Sequence, residues 1–163
     1  MTIAQLYRKM LLRPELTSSD AQHLTRVWAY AKTIGELEGL DAGAQFLTEA
    51  AAIVHDIACP YLRRTFGDAN GKLQEQHSQP LLESFFADTD FTRAQIDRIS
   101  YLVAHHHSPE AIDGIDFQIL IEADYLVNAD DGGLSRENVQ NMRDRYFRTA
   151  AGRELLEGRL MRA

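Results

Sequence analysis

Six polar residues stand where a helical protein would put its core. His23, His55, Asp56, His77, His106 and Asp124 each fall on or beside a stripe of apolar residues that repeats at three- and four-residue steps. A buried imidazole or carboxylate is costly unless it is paired or coordinates a cation. One such histidine is ordinary, but a series spread over several segments points to a shared centre. Imidazole and carboxylate together suit Zn, Fe, Mn, Ni or Co, and helical bundles build such centres from facing helices. An ion held in this way can activate a water and polarise a phosphoryl oxygen, which is the chemistry of hydrolysis. His55 and Asp56 are adjacent, so on a continuous helix they point about 100° apart. Both reach one centre only at a helix end, where the two oxygens of Asp56 could bridge two ions.

The elements that must position these residues are legible as helices. Thr17, Ser18, Ser19 and Asp20 form a cluster of capping residues after Pro14. His23, Val27, Tyr30, Ile34 and Leu37 then share one face, predicting a helix that stops near Gly39. A second helix is expected from about Asp41 to Ala58, with Leu47, Ala50, Ala51, Val54 and Ala58 on one side and Pro60 closing it. Thr65 to Lys72 reads as a loop, followed by an amphipathic segment with His77, Leu81 and Phe85 in register. Thr92 and Gln95 form a capping box that opens a helix bearing Ile96, Ile99, Leu102, Val103 and His106. Another starts near Asp116 and carries Phe117, Leu120, Asp124 and Val127 on one face, until Asp130-Asp131-Gly132-Gly133 breaks the pattern. Ser135 caps a polar final region with Val139, Met142, Tyr146 and Phe147, reaching Leu160. No segment shows period-two alternation and no internal repeat is present. The expectation is an all-α, single-domain bundle of six to seven helices, with its core at about 20–130 and its C-terminal helices at 135–160.

Composition narrows the partners. The chain of 163 residues is 45% hydrophobic and 25% charged, with a net charge of -7. That charge repels a polyanion, so duplex nucleic acid is not an expected partner. The one cysteine, Cys59, allows no intramolecular disulfide. The sequence shows neither a signal-peptide pattern nor an apolar run of membrane-spanning length, so a cytoplasmic protein with no membrane partner is expected. It also lacks a glycine-rich phosphate loop, a serine nucleophile elbow and a paired-cysteine motif. Arg63, Arg64 and Lys72 place positive charge in or beside the expected loop, available to an anionic ligand.

The order of the polar series (His, then His-Asp, then His, then a His cluster, then Asp) resembles the HD superfamily of metal-dependent phosphohydrolases. The matching text is His23-Leu24-Thr25-Arg26-Val27, then Ala52-Ile53-Val54-His55-Asp56-Ile57-Ala58, then Ala123-Asp124 within Ile119 to Leu126. The likeness covers roughly residues 20 to 130. It implies that His23, His55, Asp56 and Asp124 ligate a first metal, with His55 and Asp56 at the heart of catalysis. In the two-metal members, which include diadenosine tetraphosphate hydrolases and cyclic-di-GMP phosphodiesterases, two further histidines intervene. His77 and one of His105, His106 and His107 stand in those places. His106 is favoured because Leu102 and Val103 put it on the buried face, whereas His105 is turned away. The implied cofactor is one or two divalent transition-metal ions (Fe, Mn, Co, Ni or Zn), and the implied substrate is a small phosphorylated molecule, a nucleotide above all. Asp56, Glu49 or Glu122 would take the proton.

Two departures from the family pattern matter. Several two-metal members carry a lysine three residues after the Asp of the pair, where this chain has Cys59. The Gly-Tyr-Pro signature of the cyclic-di-GMP enzymes is absent after the His cluster. The same scaffold also supports di-iron oxygenases, as in the inositol oxygenase branch, and a nucleotide-binding sensor without turnover is a third reading. The final helices are expected either to cap the bundle or to form a homodimer contact.

Overall fold

Side-chain caps mark where most of the helices begin. Thr2, Thr17, Asp41, Asn70, Thr92, Ser135 and Thr149 each accept a hydrogen bond from a backbone N–H within three residues. Such caps satisfy donors that have no partner inside the helix. The computed structural model describes residues 1–161. They form nine α-helices: α1 (Ile3–Leu11), α2 (Ser18–Leu37), α3 (Ala42–Val54), α4 (Cys59–Phe66), α5 (Gly71–Phe86), α6 (Arg93–His105), α7 (Ile115–Gly132), α8 (Arg136–Tyr146) and α9 (Ala150–Leu160). A short 3-10 turn lies at Pro109–Ala111, and the described residues contain no strand. The capping box expected at Thr92 and Gln95 is formed, as are equivalent boxes at Thr17/Asp20 and Thr2/Gln5.

The centre of the molecule is α2, α3 and α7, with α2 packed along both of the others and α3 also against α1 and α6. In α3 every residue from Thr48 to Val54 is buried, and in α7 every residue from Phe117 to Asp124. A helix buried on all sides belongs to the interior of a larger fold. These two helices lead to or carry His55, Asp56 and Asp124, so the candidate ligands are anchored in the buried centre of the fold.

Seven of the helices are those read from the sequence; α1 and α4 are additional. Helix α1 buries Leu6 and Met10, four residues apart on one face. Helix α4 occupies part of the stretch expected as a loop, which shrinks to residues 67–70. Pro60 does not close the preceding helix. It sits in the first turn of α4, where a missing N–H costs nothing. The preceding helix stops earlier, at Val54, and His55 to Ala58 form the turn between the two. Helix α7 likewise continues through Asp130 and Asp131, ending at Gly133 in the left-handed conformation (φ 57°).

The C-terminal helices are pinned to the core by a buried carboxylate. Glu122 of α7, fully buried, accepts hydrogen bonds from Gln118 Nε2 (2.7 Å), Arg148 N (2.6 Å), Thr149 N (3.0 Å) and Thr149 Oγ1. A methyl group at Gly152 would collide with Glu122 Oε2 and stand 2.6 Å from Thr149 Oγ1. Gly152→Ala is therefore expected to destabilise the fold by about 1–3 kcal/mol through overpacking. Thermal unfolding monitored by circular dichroism should show a midpoint lowered by roughly 2–12 °C; an unchanged or raised midpoint would show that the C-terminal helices give way at no cost. No helix among the described residues is long and apolar enough to cross a membrane.

Candidate metal centre

Four helices converge on one point. His23 lies in the second turn of α2, His55 and Asp56 in the turn after α3, His106 at the C-cap of α6, and Asp124 in the middle of α7. The early end of α3 frees the adjacent side chains of His55 and Asp56 from their helical separation, and both reach the cluster. His55 Nδ1 lies 2.8 Å from the carbonyl of Ala52, and His106 Nδ1 lies 2.7 Å from that of Val103. A carbonyl only accepts, so each Nδ1 carries the proton and, in the neutral ring, each Nε2 offers a lone pair to the cluster. This is how metal-binding imidazoles are oriented by their surroundings.

The donor atoms have the spacing of a coordination sphere. His23 Nε2 is 3.1 Å from His55 Nε2, 3.2 Å from Asp124 Oδ1 and 3.5 Å from Asp56 Oδ2. His55 Nε2 is 3.5 Å from Asp56 Oδ2 and 3.7 Å from Asp124 Oδ1. Nitrogen and oxygen ligands about 2.1 Å from a common ion stand roughly 3.0–3.4 Å from one another, close to what is observed. The other carboxylate oxygen, Asp56 Oδ1, faces His106 Nε2 at 3.6 Å. That nitrogen is buried and has no hydrogen-bond partner. An orphaned buried acceptor beside a carboxylate is a second position that a cation would satisfy. Three overlapping sets meet ligand spacing: His23, His55 and Asp124; His55, Asp56 and His106; and His106, His107 and Asp124. The residues present therefore fit one ion, and with His106 and His107 a second.

Electrostatics within the cluster are mutually supporting. Burial opposes charge on His23, but its hydrogen bond to Asp124 and the nearby carboxylate of Asp56 outweigh that and raise its pKa. Burial dominates at His55 and lowers its pKa. Burial also works against ionised Asp56, yet the surrounding His55, His106 and His23 hold its carboxyl well below the usual range. Asp124 is depressed in the same sense, chiefly by His23 once burial is overcome. Asn128 Nδ2, one turn further along α7, donates to Asp124 Oδ1 at 2.9 Å and fixes its orientation.

A cavity of about 480 Å³ opens onto this cluster, with His23 and Asp56 in its wall and Met10, Leu16 and Ile53 as an apolar side. Asp56 is 27% exposed at its side chain, which makes it the open edge of the cluster. Arg63 lines the cavity, as expected from the sequence, its Nη2 donating to both oxygens of Asp20 at 2.6 and 2.7 Å. Arg64 and Lys72 are exposed and do not line it. Arg26 lines it instead, its guanidinium bonded to Asp131 and, at 2.6 Å, to Asp130. The signal for Arg26 was its place three residues after His23, on the same helical face.

Other expected residues lie elsewhere. His77 belongs to none of the donor sets; its ring packs 5.2 Å from Phe66 and 6.0 Å from Tyr61. The buried stripe of α5 is Gln74, Ser78, Leu82, Phe85 and Phe86, so two buried polar residues displace the inward face by one position from His77. Glu49 is engaged by Trp28 Nε1 at 2.8 Å and Gln45 Nε2 at 2.9 Å, and Glu122 by the start of α9. Neither carboxylate lines the cavity as a base. His105 packs on Tyr101, away from the cluster. Cys59 is buried, and burial together with Asp56 pushes its thiol pKa up, so it is neither a nucleophile nor a cation for phosphate.

An all-α scaffold whose facing helices bring four imidazoles and two carboxylates to ligand spacing has the make-up of a helical metallohydrolase. The chain belongs to the HD domain family, whose model matches residues 20–142. It is similar to the crystal structure of a predicted HD superfamily hydrolase from an uncultured Thermotogales bacterium, with a TM-score of 0.63 over 98% of this chain and 83% of that one. The two are 21% identical, a level at which the likeness speaks for the fold. No curated protein matches the chain. Family membership and the donor cluster together support metal-dependent hydrolysis.

Proposed function

We propose that the protein hydrolyses a phosphate ester or anhydride of a small nucleotide. The observation that carries this reading is the two-sided carboxylate of Asp56, with Oδ2 toward His23 and His55, Oδ1 toward the orphaned His106, and an edge on a cavity that contains arginines. A divalent ion (Fe, Mn, Co, Ni or Zn) held by His23, His55, Asp56 and Asp124 would lower the pKa of a bound water and polarise a phosphoryl oxygen. His106 and His107 are the residues for a second ion, in place of His77. Arg63 and Arg26 orient the phosphate, and their planar forks suit paired oxygens. Asp56, held ionised and open to the cavity, is placed to accept the proton of the attacking water. The apolar side formed by Met10, Leu16 and Ile53 receives the uncharged part of the substrate.

The test pairs elemental analysis with a panel of nucleotides and dinucleoside polyphosphates in anaerobic buffer containing Mn, Co or Ni. The expected result is about two ions per chain, falling to about one in a His106→Ala, His107→Ala variant, with turnover that needs no oxygen. A protein that takes up no metal on reconstitution, or that acts only with consumption of oxygen, would sink this reading. Arg63→Ala should raise KM roughly 10- to 100-fold, the loss of one charge-assisted contact, with kcat less affected. Steady-state kinetics showing equal KM values would remove Arg63 from phosphate recognition.

A further inference from the structure

A second cavity, of about 300 Å³, lies on the other side of Arg26. It is a groove between α2 and α9. Arg26, Ala29, Tyr30 and Thr33 line it from α2, and Leu155 and Arg159 from α9. These positions are the i, i+3, i+4 and i+7 face of one helix and an i, i+4 pair of the other, so the groove follows from regular helical spacing. Its lining combines two guanidiniums, one aromatic ring and short apolar side chains. No carboxylate is among the lining residues. The arginines are themselves paired with acids outside the groove lining: Asp130 lines neither cavity, and Asp131 only the catalytic one. Asp130 Oδ2 accepts from Arg26 Nη2 at 2.6 Å and from Arg159 Nη2 at 3.0 Å, tying the two arginines together.

We propose that this groove binds a nucleoside phosphate, its base stacked on Tyr30 and its phosphate held by Arg159 with Arg26. An aromatic ring lining the same groove as two guanidiniums matches an aromatic base that carries an anion. Tyr30 lies seven residues beyond His23 on α2, a rise of about 10 Å. Arg26 borders both cavities, so occupancy of one alters the side chain that serves the other, and the coupling is reciprocal. Two sources share this chemistry: the second half of an extended substrate, or a separate nucleotide acting as an effector. The proposal does not require the hydrolysis argued above, because binding is read without turnover.

The test is calorimetric titration with adenosine 5′-monophosphate as the probe, the wild type and the groove variants metal-loaded and Asp56→Asn in the metal-poor state expected of it. The proteins compared are wild type, Tyr30→Ala, Arg159→Gln and Asp56→Asn. Arg159 is exposed, so its variant is expected to fold even if Tyr30→Ala does not. Binding should persist in Asp56→Asn and weaken about tenfold or more in the two groove variants, the loss expected when a base loses its stacking partner or a phosphate its guanidinium. Wild-type affinity in both groove variants would overturn the proposal, as would binding abolished by Asp56→Asn alone. Hydrolysis of 4-nitrophenyl phosphate with and without the probe then separates the sources. A rate change in wild type that is absent in Arg159→Gln identifies an effector. Simple competition, together with a raised KM for a dinucleoside tetraphosphate in Arg159→Gln, identifies the second half of the substrate.

Discussion

Asp56→Asn should strip the protein of most of its metal and lower hydrolysis by at least about 10³-fold, because the ion supplies both the nucleophile and the charge stabilisation. Asparagine keeps the size of the side chain but replaces one oxygen by an NH2 group. It can no longer place a carboxylate oxygen both beside His23 and His55 and beside His106, which face different oxygens of Asp56. The carboxylate also offsets the positive charge that its histidine neighbours favour, and the depressed pKa of Asp56 is the mark of that attraction. His55→Ala should have a comparable effect for a different reason. Its ring is fully buried, with Nδ1 tied to Ala52, so nothing else can move in to supply the missing ligand. Elemental analysis and turnover measured on the same preparations check both, with far-ultraviolet circular dichroism to confirm folding. Wild-type metal content and rate in Asp56→Asn would remove Asp56 from the centre.

Glu122→Ala should cause a large loss of stability although it lies away from the metal cluster. It leaves the amides of Arg148 and Thr149, the Gln118 side chain and the Thr149 hydroxyl without their acceptor in the interior. Each unsatisfied buried donor is costly, and together the loss is about 3–5 kcal/mol. For a chain of this size that lowers the thermal midpoint by roughly 6–20 °C. Glu122→Gln should fall between alanine and wild type, because it retains one acceptor while adding donors that meet other donors. The outcome is read by denaturant and thermal unfolding; a shift of under about 1 kcal/mol for alanine would show that water replaces the carboxylate there. Metal content should survive the substitution if α7 stays folded, which separates this effect from that of Asp56.

Most of the scaffold was legible because its helices carry their own punctuation. Thr17, Thr92 and Ser135 are capping residues followed by apolar periodicity, and the structure starts helices at all of them. The gathering of His23, His55 and Asp124 was legible for a related reason: they interrupt apolar stripes at a cost that a shared partner would offset. Legibility failed where polarity and burial part company. Gln74 and Ser78 are buried in α5, and they carry the inward face past His77. Pro60 has two opposite meanings, terminator or first turn, and sequence does not choose between them. Arg26 and Asn128 were missed because each stands three or four residues from a donor at the solvent-facing margin of its helix, where a charged or amide side chain is ordinary.

The run Ala50-Ala51-Ala52 in α3 has a consequence for how the cluster is calibrated. All three are fully buried in the helix against which α2, α6 and α7 pack. Three successive methyl groups are thus all that this buried turn of α3 puts among its neighbours, and larger side chains would push apart the helices that carry His23, His106 and Asp124. An extra carbon–carbon bond adds about 1.5 Å, whereas a working metal site tolerates errors of only about 0.2 Å in its bonds. The selectivity of the centre for one ion over another is in this sense gauged by residues that touch neither ion nor substrate. A drift to valine or leucine there would detune the site before it unfolded the protein.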